Sequence, residues 1–122
     1  MHELSIAYQL VEIANSAARD AGATQVDAVH LRLGVFSGVV KDALLFSYDV
    51  ATRGTLLEGS RLEIEEVPLV VYCPQCAREV ELESVQLFQC PLCGTPTADI
   101  RQGREIDLIS LEVADETETA GN

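Results

Sequence analysis

The chain has 122 residues, enough for one domain or a small domain with an appended module, and its 48% apolar content agrees with a modest buried core. Eight Lys and Arg against twenty Asp and Glu leave a formal charge of -12, which repels phosphate backbones and acidic lipid surfaces, so nucleic acid and membranes are excluded as expected partners. The opening Met1-His2-Glu3-Leu4 has no basic leader and no long apolar run, so we expect no signal peptide, no membrane span and a cytoplasmic protein.

Residues 4–21 repeat with a helical period. Ile6, Ala7, Leu10, Val11, Ile13, Ala14, Ala17 and Ala18 fall on one side, and Gln9, Glu12, Asn15, Ser16, Arg19 and Asp20 on the other. Residues 26–33 then alternate as a half-buried strand, with Val29, Leu31 and Leu33 facing one way and Ala28, His30 and Arg32 the other. A second helical segment is predicted over 40–51, and a second strand over 61–67, where Leu62 and Ile64 alternate with Glu63 and Glu65. Pro68 stops regular pairing.

All four cysteines lie in Cys73-Pro74-Gln75-Cys76 and Cys90-Pro91-Leu92-Cys93. Each Cys-x-x-Cys pair places two thiolates on one tight turn, and two such turns close a tetrahedral Zn(II) site. The alternative is two disulfides, but cysteines two residues apart make a strained bridge, and a reducing compartment favours the metal. Residues 79–82 and 86–88 are expected to pair as a hairpin between the turns. A segment this short needs the ion for much of its folding free energy. Ile106 to Val113 is apolar on both faces and reads as an interior strand returning to the main sheet.

The expected architecture is α/β: two helices packed on a small three-stranded sheet, with an inserted four-cysteine zinc-ribbon subdomain. Residues 1–67 plus 102–113 form the α/β domain, 68–101 the ribbon, and 114–122 a disordered acidic tail.

A cage closed by four cysteines has no vacant coordination position, so its first reading is structural. No P-loop, Gly-x-Ser-x-Gly or spare cysteine points to an enzyme, and the histidines are His2 and His30. His30 is read as an ordinary surface or partly buried histidine, with a ligand or proton-linked role as the alternative. His2 has two readings. It is either an incidental terminal residue, or its imidazole joins the terminal amine and its own backbone nitrogen around one ion, a nitrogen-rich planar set that suits Ni(II) or Cu(II). Glu3 would complete that set through its backbone nitrogen, or bind axially through its carboxylate. The first N–H groups of a helix lack intrahelical partners and are available for this.

Met1-His2-Glu3, Leu31-Arg32-Leu33-Gly34, Ser37, Glu58-Gly59 before Leu62-Glu63-Ile64, Pro68, the four cysteines and Leu111-Glu112-Val113 together resemble the HypA/HybF family, from Met1 to about Val113. The resemblance implies a nickel metallochaperone of hydrogenase maturation, with Ni(II) as transferred cargo held by Met1, His2 and Glu3. Structural Zn(II) would be held by Cys73, Cys76, Cys90 and Cys93. Implied partners are a HypB-type GTPase and the large subunit of a NiFe hydrogenase, with urease maturation proteins for some relatives. The chain departs from the ribbon pattern at Ala77, where glycine would ease the turn after the first pair. The rival reading is a zinc-ribbon protein–protein interaction module without nickel function. A nucleic-acid-binding ribbon is disfavoured by the charge and by the lack of interleaved aromatic and basic residues.

Overall fold

A computed structural model describes residues 2–83 and 87–115 of the chain. The elements run α1 (His2–Asp20), β1 (Ala23–Gly34), α2 (Lys41–Ala51), β2 (Arg61–Val67), β3 (Leu69–Cys73), β4 (Arg78–Leu82), β5 (Ile100–Gln102) and β6 (Ile106–Asp115). They make two three-stranded sheets, ordered β2-β1-β6 and β4-β3-β5. Two helices, a small three-stranded sheet and a separate cysteine-bearing sheet are the expected fold class. No helix among the described residues is long and apolar enough to cross a membrane.

The chain divides into two compact units. The first takes the residues up to Leu31, Val39–Ile64 and those from Leu108 onward. Its core is built from the periodic stripe of α1 (Ala7, Leu10, Val11, Ala14 and Ala18), from Val26, Val29 and Leu31 of β1, and from Leu44, Tyr48 and Ala51 of α2. Burying this apolar surface, at about 25 cal/mol per Å², is what holds the helices in place, and α2, with 11 residues, is too short to be stable alone. Tyr48 satisfies its buried hydroxyl on Ser60 Oγ at 2.6 Å. Asn15, on the polar side of α1, accepts the Leu56 N–H at 3.0 Å and so fixes the loop after α2.

The two helices run side by side in the same direction. Glu3 of α1 meets Val40 at the start of α2, while Tyr8, Val11 and Asn15 share a groove with Ala51, Arg53 and Thr55 at its end. The other face of the sheet is polar, with His30 bonded to Glu112 at 2.6 Å and Arg61 to Glu63 at 3.1 Å.

The second unit comprises Arg32–Gly38 and Glu65–Asp107. Its small core is Leu69, Val71, Cys73, Val80, Leu82 and Cys90, with Phe36, Cys76, Phe88 and Ile100 packed against it. Phe36 and Phe88 meet edge to face, with centroids 5.3 Å apart. Phe36 comes from the segment after β1, which is held by hydrogen bonds from Gly34 N to Glu105 O, Val35 N to Val67 O and Phe36 N to Gly103 O. Gly34 lies so close to Gly103 that a methyl group on it would fall on the Gly103 carbonyl. At Gly103, with φ +120, the same group would stand 2.9 Å from Leu69 Cα. Arg101 stacks over Tyr72 at 4.6 Å and bonds Asp99 through two nitrogens, which ties β5 to β3.

Two sequence expectations are corrected. The hairpin of the ribbon is β3 with β4, Leu69 facing Leu82 and Cys73 facing Arg78, and not 79–82 with 86–88, of which residue 86 lies outside the described residues. The first cysteine turn is therefore the hairpin loop itself. Phe88 and Gln89 instead face the other side of the second turn, through Thr97 N to Phe88 O and a bridge between Gln89 and Pro96. β6 is an edge strand with β1 at the centre, and Ile109 and Val113 on it are 48% and 37% exposed. The disorder expected of the acidic tail concerns residues that, from 116 on, lie outside the described ones.

Candidate metal centres

Cys73 ends β3 and is fully buried, and Cys76 follows across a tight turn on which its N–H reaches back to Cys73 Sγ at 3.4 Å. The second turn repeats the device, with Leu92 N–H on Cys90 Sγ at 3.4 Å. Proline after the first cysteine of each pair fixes one backbone angle of the turn, and the following amides point at sulfur. Gly94 N to Cys90 O and Cys90 N to Thr95 O, both 2.8 Å, lock the second turn. After the first turn Ala77 adopts φ 53, where the second has Gly94 at φ 78.

The turns face one another. Cys73 Sγ lies 3.5 Å from Cys93 Sγ, Cys76 Sγ lies 3.9 Å from Cys90 Sγ, and all four sulfurs fall within 4.8 Å of each other. Zn(II) with four sulfurs at about 2.3 Å needs tetrahedron edges of about 3.8 Å, so small shifts of the sulfurs bring this cluster onto the ion. The four thiols are free, and their separations exceed the roughly 2.05 Å of a disulfide. Thr95 donates from its hydroxyl side, 3.1 Å away, and from its N–H to Cys93 Sγ, and these bonds bring the Cys93 thiol down to about 6. Cys76 is pushed up to about 12, first by its bond to Cys93, because the shared proton stays on Cys76 once Cys93 ionises. A divalent ion removes that rivalry by making every thiolate favourable. Among the described residues this is the one group of three or more such side chains with metal-binding geometry.

The expected nickel residues lie at the other end of the chain. Met1 falls outside the described residues. His2 is the first residue of α1 and is exposed. Glu3 is half-buried, and its Oε2 accepts the Val40 N–H at 3.1 Å. That bond, followed by one from its own N–H, holds the Glu3 carboxyl below the ordinary glutamate value of 4.5. His30 is engaged with Glu112 on the polar sheet face. Sequence reasoning missed two participants. Thr95 stood two residues past Cys93 as a visible hydroxyl, whereas the Val40 backbone N–H left no signal in its side chain.

Four thiols that close one tetrahedron leave no open position on the ion they would hold, so the arrangement is suited to holding a metal. A family model described as "Hydrogenase/urease nickel incorporation, metallochaperone, hypA" matches residues 1–113. The chain is 59% identical over 120 residues to the hydrogenase maturation factor HypA of Roseiflexus sp. (strain RS-1), covering 98% of each chain. It is 54% identical over 112 residues to that of Chloroflexus aurantiacus, covering 92% of this chain and 98% of the other. The solution structure of the Ni metallochaperone HypA from Helicobacter pylori has the same fold, with a TM-score of 0.65 at 22% identity over 93% of this chain and 98% of that one. The chain belongs to the HypA family of nickel-incorporation metallochaperones.

Proposed function

We propose that this protein binds Ni(II) at its N-terminus, through the Met1 amine, the His2 imidazole and backbone nitrogen, and Glu3, and delivers it to a NiFe hydrogenase precursor. Zn(II) held by Cys73, Cys76, Cys90 and Cys93 serves as a structural crosslink. The observation that carries the reading is the place of His2, exposed on the first residue of α1, where backbone N–H groups have no backbone acceptor within the helix. Family membership over the stretch containing Met1-His2-Glu3 supports the choice of metal. The two sites divide metals by ligand chemistry, soft tetrahedral thiolates for zinc and a planar nitrogen set for nickel.

The delivery partners in this reading are the hydrogenase large subunit and a HypB-type GTPase, with urease maturation proteins as a further client, and the compartment is the cytoplasm. An exposed turn suits transfer, since a receiving site reaches it without unfolding the donor. Nickel displaces protons from the amine and amides to solvent, so affinity falls with acidification.

Titration of the full chain with Ni(II) tests the site. His2→Ala abolishes nickel binding and leaves zinc content and helicity unchanged, and an extra residue ahead of Met1 weakens nickel binding. Nickel retained at wild-type affinity by His2→Ala would leave only a zinc-ribbon interaction module.

A further inference from the structure

Helix α2 begins without a cap of its own. Its N-cap residue is Val40, extended at φ -85 and ψ 118, with no side-chain hydrogen bond to the helix. At helix N-termini a glutamate three residues on commonly reaches back to the N-cap N–H, but here that position is Ala43. The missing acceptor comes from another helix. Glu3, 37 residues earlier and in the first turn of α1, places Oε2 3.1 Å from Val40 N. Valine at an N-cap and a glutamate bonded across to it complement one another.

The residue making this bond is also one whose backbone nitrogen the proposed nickel site uses. The first turn of a helix frays, and fixing its backbone for a ligand costs conformational entropy. A carboxylate already anchored on α2 meets that cost before metal arrives. It also directs the side chain to the start of α2.

We propose that the Glu3 carboxylate is a positioning residue, which caps α2 from α1 and so holds the first turn in the geometry its backbone nitrogen needs to meet nickel, without entering the coordination sphere. The proposal rests on the N-terminal nickel reading above and settles which atom of Glu3 serves it.

The test titrates Ni(II) into the full chain with an untouched N-terminus. It compares wild type with His2→Ala, Glu3→Gln, Glu3→Ala and Glu3→Ala combined with Val40→Ser, reading affinity, the visible spectrum of planar nickel and hydrogen exchange at the Val40 amide. Glutamine keeps an oxygen acceptor, so Glu3→Gln binds within about twofold of wild type and preserves Val40 protection. Glu3→Ala binds about tenfold more weakly and exposes Val40, with the spectrum unchanged because the ligands are unchanged. Serine at position 40 supplies α2 with its own cap, so the double variant regains thermal stability but not nickel affinity.

Glu3→Gln behaving like Glu3→Ala, an altered spectrum in either, wild-type affinity in Glu3→Ala, or affinity regained in the double variant would each overturn the proposal. Wild-type nickel binding by His2→Ala would instead remove the N-terminal site itself.

Discussion

Ala77 holds the one left-handed non-glycine backbone among the described residues, φ 53, immediately after Cys76. The second cysteine pair meets the same demand with Gly94. A Cβ in this region costs about 1–2 kcal/mol, and part of that is balanced by the greater freedom glycine has when unfolded. Ala77→Gly should therefore stabilise the ribbon by about 0.5–1 kcal/mol, seen as a higher urea midpoint of the zinc-loaded protein with an unchanged slope. At this scale the cysteine cluster was legible in the sequence, because each turn is local and its spacing fixes where the sulfurs go. The bond from Val40 to Glu3 was not legible. It joins a backbone N–H, which every residue but proline carries, to a carboxylate 37 residues away.

Gly34 and Gly103 bring two backbones closer than any side chain permits. Gly34→Ala should destabilise the fold by about 3 kcal/mol or more, since the overlap is with backbone and no rotamer change relieves it. Thermal unfolding of the purified variant checks this, with Gly38→Ala as a comparison that meets nothing within 4 Å and carries only the backbone strain of a side chain at φ +83. The helices and β2 were readable because periodicity reports burial directly, and the observed β2 has the predicted ends, Arg61–Val67. Strand neighbours were not. The pattern of β6 showed apolar residues on both faces, which says how a strand is covered above and below but nothing of who pairs along its edges. The ribbon hairpin was misplaced for a related reason. Arg78–Leu82 had two candidate partners of similar composition, and the register with Leu69–Cys73 depends on the cysteine turn serving as the hairpin loop.

Both helices belong to the first unit and all four cysteines to the second, so metal dependence should divide along that line. Chelation of zinc is expected to abolish hydrogen-exchange protection in β3, β4 and β5 while α1 and α2 keep theirs, with most of the far-ultraviolet signal at the helical minimum retained. Loss of helicity in parallel with zinc would contradict this. The central strand of the first sheet carries a further consequence, one of timing. β1 is made early, but its neighbours are Arg61–Val67 and Ile106–Asp115, so the sheet under the helices is completed only by the last described residues of the chain. Such long-range pairing is slow to form and late in synthesis. Helix α1 is thus made well before the strand that completes the sheet behind it. A chain that stops short of β6 therefore leaves α1 and α2 over an unfinished sheet.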